Sequence, residues 1–224
     1  MSRDNAPKAR QLARRAQQAA RRASYSRLLI VSEGRKTEPH YFCEIRALYR
    51  LHSANVEVQP SQLGTAPLQV VNYAHQLFER GDSHKGIRPR AFDQVCVVFD
   101  RDEHLSYFDA LHRSAALDRS LRNDCGESVH FEAIPSCPSF ELWLLLHYED
   151  VQHPIHRDEV IRRLRRHIPG YAKGAADIFA KTSARIADAT HRAETLSKRF
   201  TPFDAPEPYT AVARLVTRLV TLRS

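Results

Sequence analysis

The chain has 224 residues, 42% of them apolar and 27% charged, a balance that allows one sizeable core and excludes wholesale disorder. No apolar run approaches bilayer length and no apolar stretch follows the charged start, so the expectation is a cytoplasmic protein without a membrane span or secretory leader. Cys43, Cys96, Cys125 and Cys137 are too unevenly spaced for a zinc knuckle or disulfide framework, and the twelve histidines show no metal-ligand spacing.

The net charge of +8 is concentrated at the start. Residues 1–24 hold six arginines, one lysine and one aspartate, so this arm carries +6 and the remaining chain only +2. The arm is helix-prone but has no strong apolar face, and reads either as a phosphate-binding segment or as a solvated arm. Residues 27–32 (RLLIVS) form a short apolar run suited to a strand buried on both faces. Glu33 and Gly34 follow, and Thr37 reads as the N-cap of a helix carrying Pro39, Tyr41, Phe42, Ile45, Leu48 and Tyr49. Residues 55–59 alternate as a second strand, and 68–78 form an amphipathic helix with Val70, Val71, Ala74, Leu77 and Phe78 inward. Residues 81–90 read as a mobile surface loop.

Residues 94–99 (QVCVVF) give the strongest strand signal and end on Asp100, Arg101, Asp102, Glu103 and His104. A helix over 105–123, a strand over 128–134 and a very apolar helix over 140–148, capped by Ser139, follow. Helices are then expected at 157–167, 177–199 and 209–222, with turns at 169–170 and 201–208. The strand–helix alternation predicts an α/β fold: a mainly parallel sheet flanked by helices over 25–150, with a helical C-terminal region (151–224) packed on it. Ligands of such sheets bind beyond the carboxyl ends of the strands, where Glu33, Asp100 and Asp102 would stand together.

Carboxylates leaving a strand as D-x-D suit Mg²⁺, which takes hard oxygen ligands and often shares them with substrate phosphate. The rival role for Asp100 and Asp102 is capping of the following helix. Gly34 would let a phosphate approach the backbone, and Arg35, Lys36 and Arg101 would balance its charge. Glu141 reads either as a second-metal ligand or as an acid stabilising the first turn of its helix. The 162–167 cluster (RRLRRH) could grip a nucleic-acid backbone or be a solvated helix face. There is no Walker A sequence, so the chain is not itself a P-loop ATPase.

Three blocks, LIVSEGRKTEPHYF at 29–42, VFDRDEH at 98–104 and PSCPSFELWLLLHYE at 135–149, resemble the hallmark blocks of the RloB family in order and spacing. Ser32 and Arg35 stand where relatives often carry Cys and a second acid. RloB-like proteins resemble the Toprim fold of topoisomerases, primases and overcoming-lysogeny-defect nucleases. The resemblance implies that Glu33, Asp100 and Asp102, with Glu141 as a fourth acid, hold Mg²⁺ or Mn²⁺, and that Glu33, Asp100, Asp102 and Lys36 act in catalysis. Gly34, Arg35, Arg101 and Ser139 would then contact substrate. It further implies a nuclease-type effector of phage defence acting on DNA or RNA, beside an ABC- or AAA-type ATPase. The other reading is a non-catalytic nucleic-acid- or nucleotide-binding module in which the acids serve as caps and ion-pair partners.

Overall fold

A computed structural model describes residues 26–52 and 55–222; the basic arm lies outside the described residues. The strands are β1 (Leu28–Ser32), β2 (Val56–Pro60), β3 (Gln94–Asp100), β4 (His130–Cys137) and the short β5 (Tyr209–Thr210). They form one sheet in the order β2-β1-β3-β4-β5, parallel except for the β4–β5 pair. The α/β architecture is therefore as the residue pattern predicts.

The helices divide between the two faces according to strand alternation. Leu29, Val31, Val95, Val97, Phe99 and Phe131 point to one face, where they pack with α2 (Pro67–Arg80) and α3 (Tyr107–Leu117). Leu28, Ile30, Val56, Val58, Cys96, Val98 and Ile134 point to the other, beneath α1 (Thr37–Leu48) and the C-terminal helices. These are α4 (Glu141–Leu145), α5 (Arg157–His167), α6 (Ile178–Thr182), α7 (Ile186–Arg199) and α8 (Val212–Thr221). The C-terminal region shares this apolar cluster and supplies β5, so it completes the second face of the sheet. Among the described residues no helix is long and apolar enough to cross a membrane.

The connection β1–α1–β2 turns one way along the sheet, and β3 lies on the other side of β1. Between the ends of β1 and β3 lies a topological switch point, the crevice in which open α/β sheets bind ligands. At the opposite sheet edge Arg27 donates to Asp93 at 2.7 Å and to Asp124 at 2.9 Å, clamping the entries of β1 and β3.

Several boundaries depart from expectation. The helix expected over 105–123 ends at Leu117, because Arg119 turns left-handed (φ 60°) and its N–H donates to the Val129 carbonyl. Thr37 is not a cap: it lies inside α1, and its hydroxyl accepts from the Gly174 N–H at 2.9 Å. Ser139 donates to the Glu141 carboxylate instead of capping α4, which is also shorter than expected. The 177–199 helix is broken by a 3₁₀ turn at Ser183–Arg185. Residues 209 and 210 pair with Cys137 and Ser136 as an antiparallel edge strand before α8 begins. The 81–90 segment is a turn held by Asp82–Ile87 backbone bonds, with Gly81 (φ 67°) packed so closely on Ile87 and Pro89 that a Cβ would clash.

Trp143 is fully buried on the C-terminal face, and its indole N–H donates to the Tyr41 hydroxyl at 2.8 Å, joining α4 to α1. Trp143→Ala is expected to lower unfolding free energy by about 3–5 kcal/mol, measured by urea denaturation.

Candidate metal and phosphate site

The site begins with strand register. Ser32 pairs with Val98, and the Glu33 N–H continues the ladder by donating to the Val98 carbonyl at 2.9 Å. That places the Glu33 side chain at the end of β3, where its carboxylate accepts from the Asp100 N–H at 3.0 Å. Asp100 pairs with Ser136 of β4, and its own carboxylate accepts from the Phe140 N–H at 2.8 Å. Two backbone donors thus pin two acids across three strand ends. The Arg101 and Asp102 N–H groups bond to the carbonyls of Ser136 and Pro138, which carries the D-x-D turn onto β4. Asp102 sits in the left-handed region (φ 33°), a conformation Asp tolerates better than most residues.

Glu141 enters from the first turn of α4, 1% exposed. It accepts from the Ser139 hydroxyl at 2.8 Å and from the Tyr171 hydroxyl at 3.2 Å, and lies 3.7 Å from the Lys173 ammonium. Glu38, in the first turn of α1, is also buried, and its carboxylate lies over Gly34. The cluster therefore holds five acids: Glu33, Glu38, Asp100, Asp102 and Glu141.

Their electrostatics follow from burial and like charge. Burial, then repulsion from Asp102 and Glu141, pushes the Glu33 carboxyl up to about 7. Burial, then repulsion from Glu141 and Glu33, pushes Glu38 up to about 7 as well. Asp100 lies well above the usual carboxylate range, through burial and repulsion from Glu38, Glu33, Glu141 and Asp102. Lys173 is one of the nearby cations, and this cluster raises its affinity for the proton despite partial burial.

The sequence-predicted residues separate into groups. Glu33, Asp100, Asp102 and Glu141 come together at the carboxyl edge. Arg35 and Lys36 are exposed on the loop between β1 and α1, with the Lys36 stem close to Gly174. Gly34 does not leave its backbone open to phosphate: a Cβ there would stand 2.2 Å from a Glu38 carboxylate oxygen, so Glu38 fills that room. Ser139 is fully buried and committed to Glu141, which removes it from direct substrate contact. The Arg101 guanidinium donates to the carbonyls of Asp102 and His104 and lies over the Tyr107 and Phe108 rings, turned away from the carboxylates. In the 162–167 cluster Arg162 pairs with Glu159, Arg163 and His167 with Glu149, and Arg165 with the Tyr171 carbonyl.

Sequence reasoning missed Glu38, Arg157, Tyr171 and Lys173. Glu38 lay inside the first hallmark block, five residues after Glu33, where an acid next to Pro39 reads as an ordinary first-turn residue. Arg157, whose guanidinium meets Asp102 at 2.9 Å, and the Tyr171–Lys173 loop come from the C-terminal region, and no local pattern marks them.

A family model described as RloB-like protein matches residues 28–219. The chain belongs to the RloB-like family. No curated protein and no solved structure matches it.

In this RloB-like chain no three His, Cys, Asp or Glu side chains among the described residues form a metal-ligating set as they stand. The partners explain why: Asp102 is turned to Arg157, Glu141 to Tyr171 and Lys173, and Glu33 and Asp100 to backbone N–H groups. The donor set nevertheless suits a hard divalent cation in kind, since all five groups offer carboxylate oxygens and Oδ1 of Asp102 is buried without a partner.

The raised carboxyls predict a pH dependence. A folded-state value near 7 against an ordinary 4.5 means that the folded chain binds more protons than the unfolded one between those values. Stability in chelator is therefore greatest below pH 4.5 as far as these groups go, and is lost as pH rises through about 7. Thermal melts in EDTA should show this fall, and Glu38→Gln should flatten it.

Proposed function

We propose that the protein is a Mg²⁺- or Mn²⁺-dependent nuclease that hydrolyses phosphodiester bonds of DNA or RNA. The observation that supports this most directly is the convergence of Glu33 and Asp100 from the ends of β1 and β3 with Glu141 from the first turn of α4, and with Glu38 and Asp102 beside them. Acids so buried and so mutually repelling are costly without a compensating cation, and they persist where function needs them.

In this reading Glu33, Asp100, Asp102 and Glu141 hold the metal, with Glu38 available as a further oxygen donor. The bound cation supplies Lewis-acid stabilisation of phosphate oxygens and a more acidic water. The chain's own residues do the rest. The Asp100 and Phe140 N–H groups fix the orientation of Glu33 and Asp100. Tyr171 and Ser139 hold Glu141 through its two oxygens. Arg157 and Lys173, close to the acids, neutralise charge developing on the phosphate, while Arg35 and Lys36 attract the polyanion from the exposed loop. On the family resemblance we further propose a Toprim-like fold and a role in phage defence alongside a partner ATPase.

A second reading has its own support. Asp102–Arg157 and Glu141–Lys173 are ion pairs complete within the protein, as expected if the acids only build a binding module.

Purified protein should cleave a mixed pool of single- and double-stranded nucleic acids with Mg²⁺ or Mn²⁺. Asp100→Ala and Glu33→Gln should each slow cleavage on the order of a thousandfold, equivalent to about 4 kcal/mol of barrier. A rise in melting temperature with millimolar Mg²⁺, lost in Asp100→Asn, would accompany it. Cleavage that survives both substitutions rejects the nuclease reading, and absence of both cleavage and thermal shift favours the binding module.

A further inference from the structure

Beside the acid cluster lies a cavity of about 830 Å³, lined by the D-x-D turn on one side and by the segments around 137–138, 154–157 and 205–206 on the others. Its volume falls within the roughly 300–1,000 Å³ of pockets that enclose small organic ligands. The polar wall carries Arg101, Asp102, His104, His156 and Arg157; the apolar wall includes Pro138, Ile155 and Pro206. Asp102 belongs to both the cavity and the acid cluster, so the two are continuous.

At this turn Arg101 keeps a buried Nε and Asp102 a buried Oδ1 without a partner, behind the cavity surface. The half-exposed Arg157 guanidinium beside Asp102 on this wall suits a phosphate-bearing group better than a purely apolar ligand.

An aromatic platform stands alongside. Phe108 and Phe203 stack with ring centroids 6.2 Å apart and planes inclined by 13°, both partly exposed to solvent. The Arg101 guanidinium lies 5.6 Å from the Phe108 ring centre, and Phe203 precedes the cavity-lining Ala205 and Pro206 by two and three residues. Exposed aromatic faces beside arginine are the usual means of holding successive unstacked bases.

Resting on the nuclease reading and naming its substrate class, we propose that the cavity receives one unstacked nucleotide of a single-stranded nucleic acid and that Phe203 with Phe108 stacks a neighbouring base. A base in an intact duplex has its faces covered by its neighbours and could not enter such a recess. The chain therefore selects single strands, ends or loops over continuous duplex.

The full-length protein tests this by fluorescence anisotropy with labelled oligo(dT) and oligo(rU) against a long, loop-free, blunt-ended labelled duplex, in EDTA, so that no cleavage is needed. Salt is kept high enough to suppress non-specific phosphate attraction. Single strands should bind about tenfold or more tightly than duplex. Ile155→Trp, which fills the cavity, and Phe203→Ala, which removes an exposed ring, should each weaken single-strand binding about tenfold and leave duplex binding unchanged. Phe203 is at the surface, so its variant tests the platform even if Ile155→Trp melts early. Equal affinity for duplex and single strand, or unchanged affinity in Phe203→Ala and in a folded Ile155→Trp, overturns the proposal. Cleavage that ignores both substitutions sinks the cavity assignment alone; sensitive binding without any metal-dependent cleavage sinks the nuclease reading alone.

Discussion

Everything at the carboxyl edge depends on the backbone N–H of Asp100 reaching across to the Glu33 carboxylate. That bond exists because β1 and β3 are parallel neighbours in a register pairing Ser32 with Val98, which leaves Glu33 level with the end of β3. One residue of slippage would turn the acid to the opposite face of the sheet. Asp100, tied in turn to the Phe140 N–H, extends the same lock to β4 and the start of α4. The acids are thus placed by ladder geometry that the apolar strands enforce, and their repulsion is borne by a frame that cannot easily relax.

This frame needs the C-terminal half of the chain. Arg157 precedes most of α5 and meets Asp102; Tyr171 and Lys173, in the loop after α5, meet Glu141; and the Gly174 N–H donates to Thr37 at the start of α1. Apolar residues between 151 and 222 also share one cluster with the sheet, which holds these polar groups at the edge. Helix α5 and the loop that follows it bring two cations and a phenol to acids that the first half assembles. The sequence reads as an α/β core over 25–150 and a helical region over 151–224, and the electrostatics run across that boundary.

What the sequence made legible was whatever depends on short-range period and strand ends. The apolar runs of β1 and β3, the alternation in β2 and the amphipathic α2 are written locally, as are the positions of Glu33, Asp100 and Asp102 just past buried strands. Glu141 was accessible through its apolar helix. Less legible were contacts fixed by tertiary packing. Thr37 has the chemistry of a cap, yet its hydroxyl serves a loop about 137 residues away. The 105–123 stretch has helical composition, but the Arg119 and Val129 pairing diverts it into a turn before β4. Tyr209 and Thr210 are too few to show strand periodicity, and become a strand only because β4 offers a free edge. Glu38 lay in plain view, but only the fold reveals that α1 starts with its first turn buried against the other acids.

The charge balance of the edge explains why the tight fold and a functional role do not conflict. Lys173 is half exposed and lies 3.7 Å from Glu141, while Arg157 is half exposed and bonds to Asp102. These partners reach the acids from the solvent side on flexible stems, whereas the N–H donors to Glu33 and Asp100 belong to the strand framework. Exposed ion pairs contribute little to stability and are readily exchanged, while buried backbone donors are expensive to remove. The fixed donors therefore hold the acids in orientation, and the replaceable cations balance part of their charge. On the proposed reading, the side-chain cations would turn toward a phosphodiester while the backbone donors keep the acids in place. Backbone donors of the strand framework thus orient the carboxylates, and half-exposed side chains from the other half of the chain balance part of their charge.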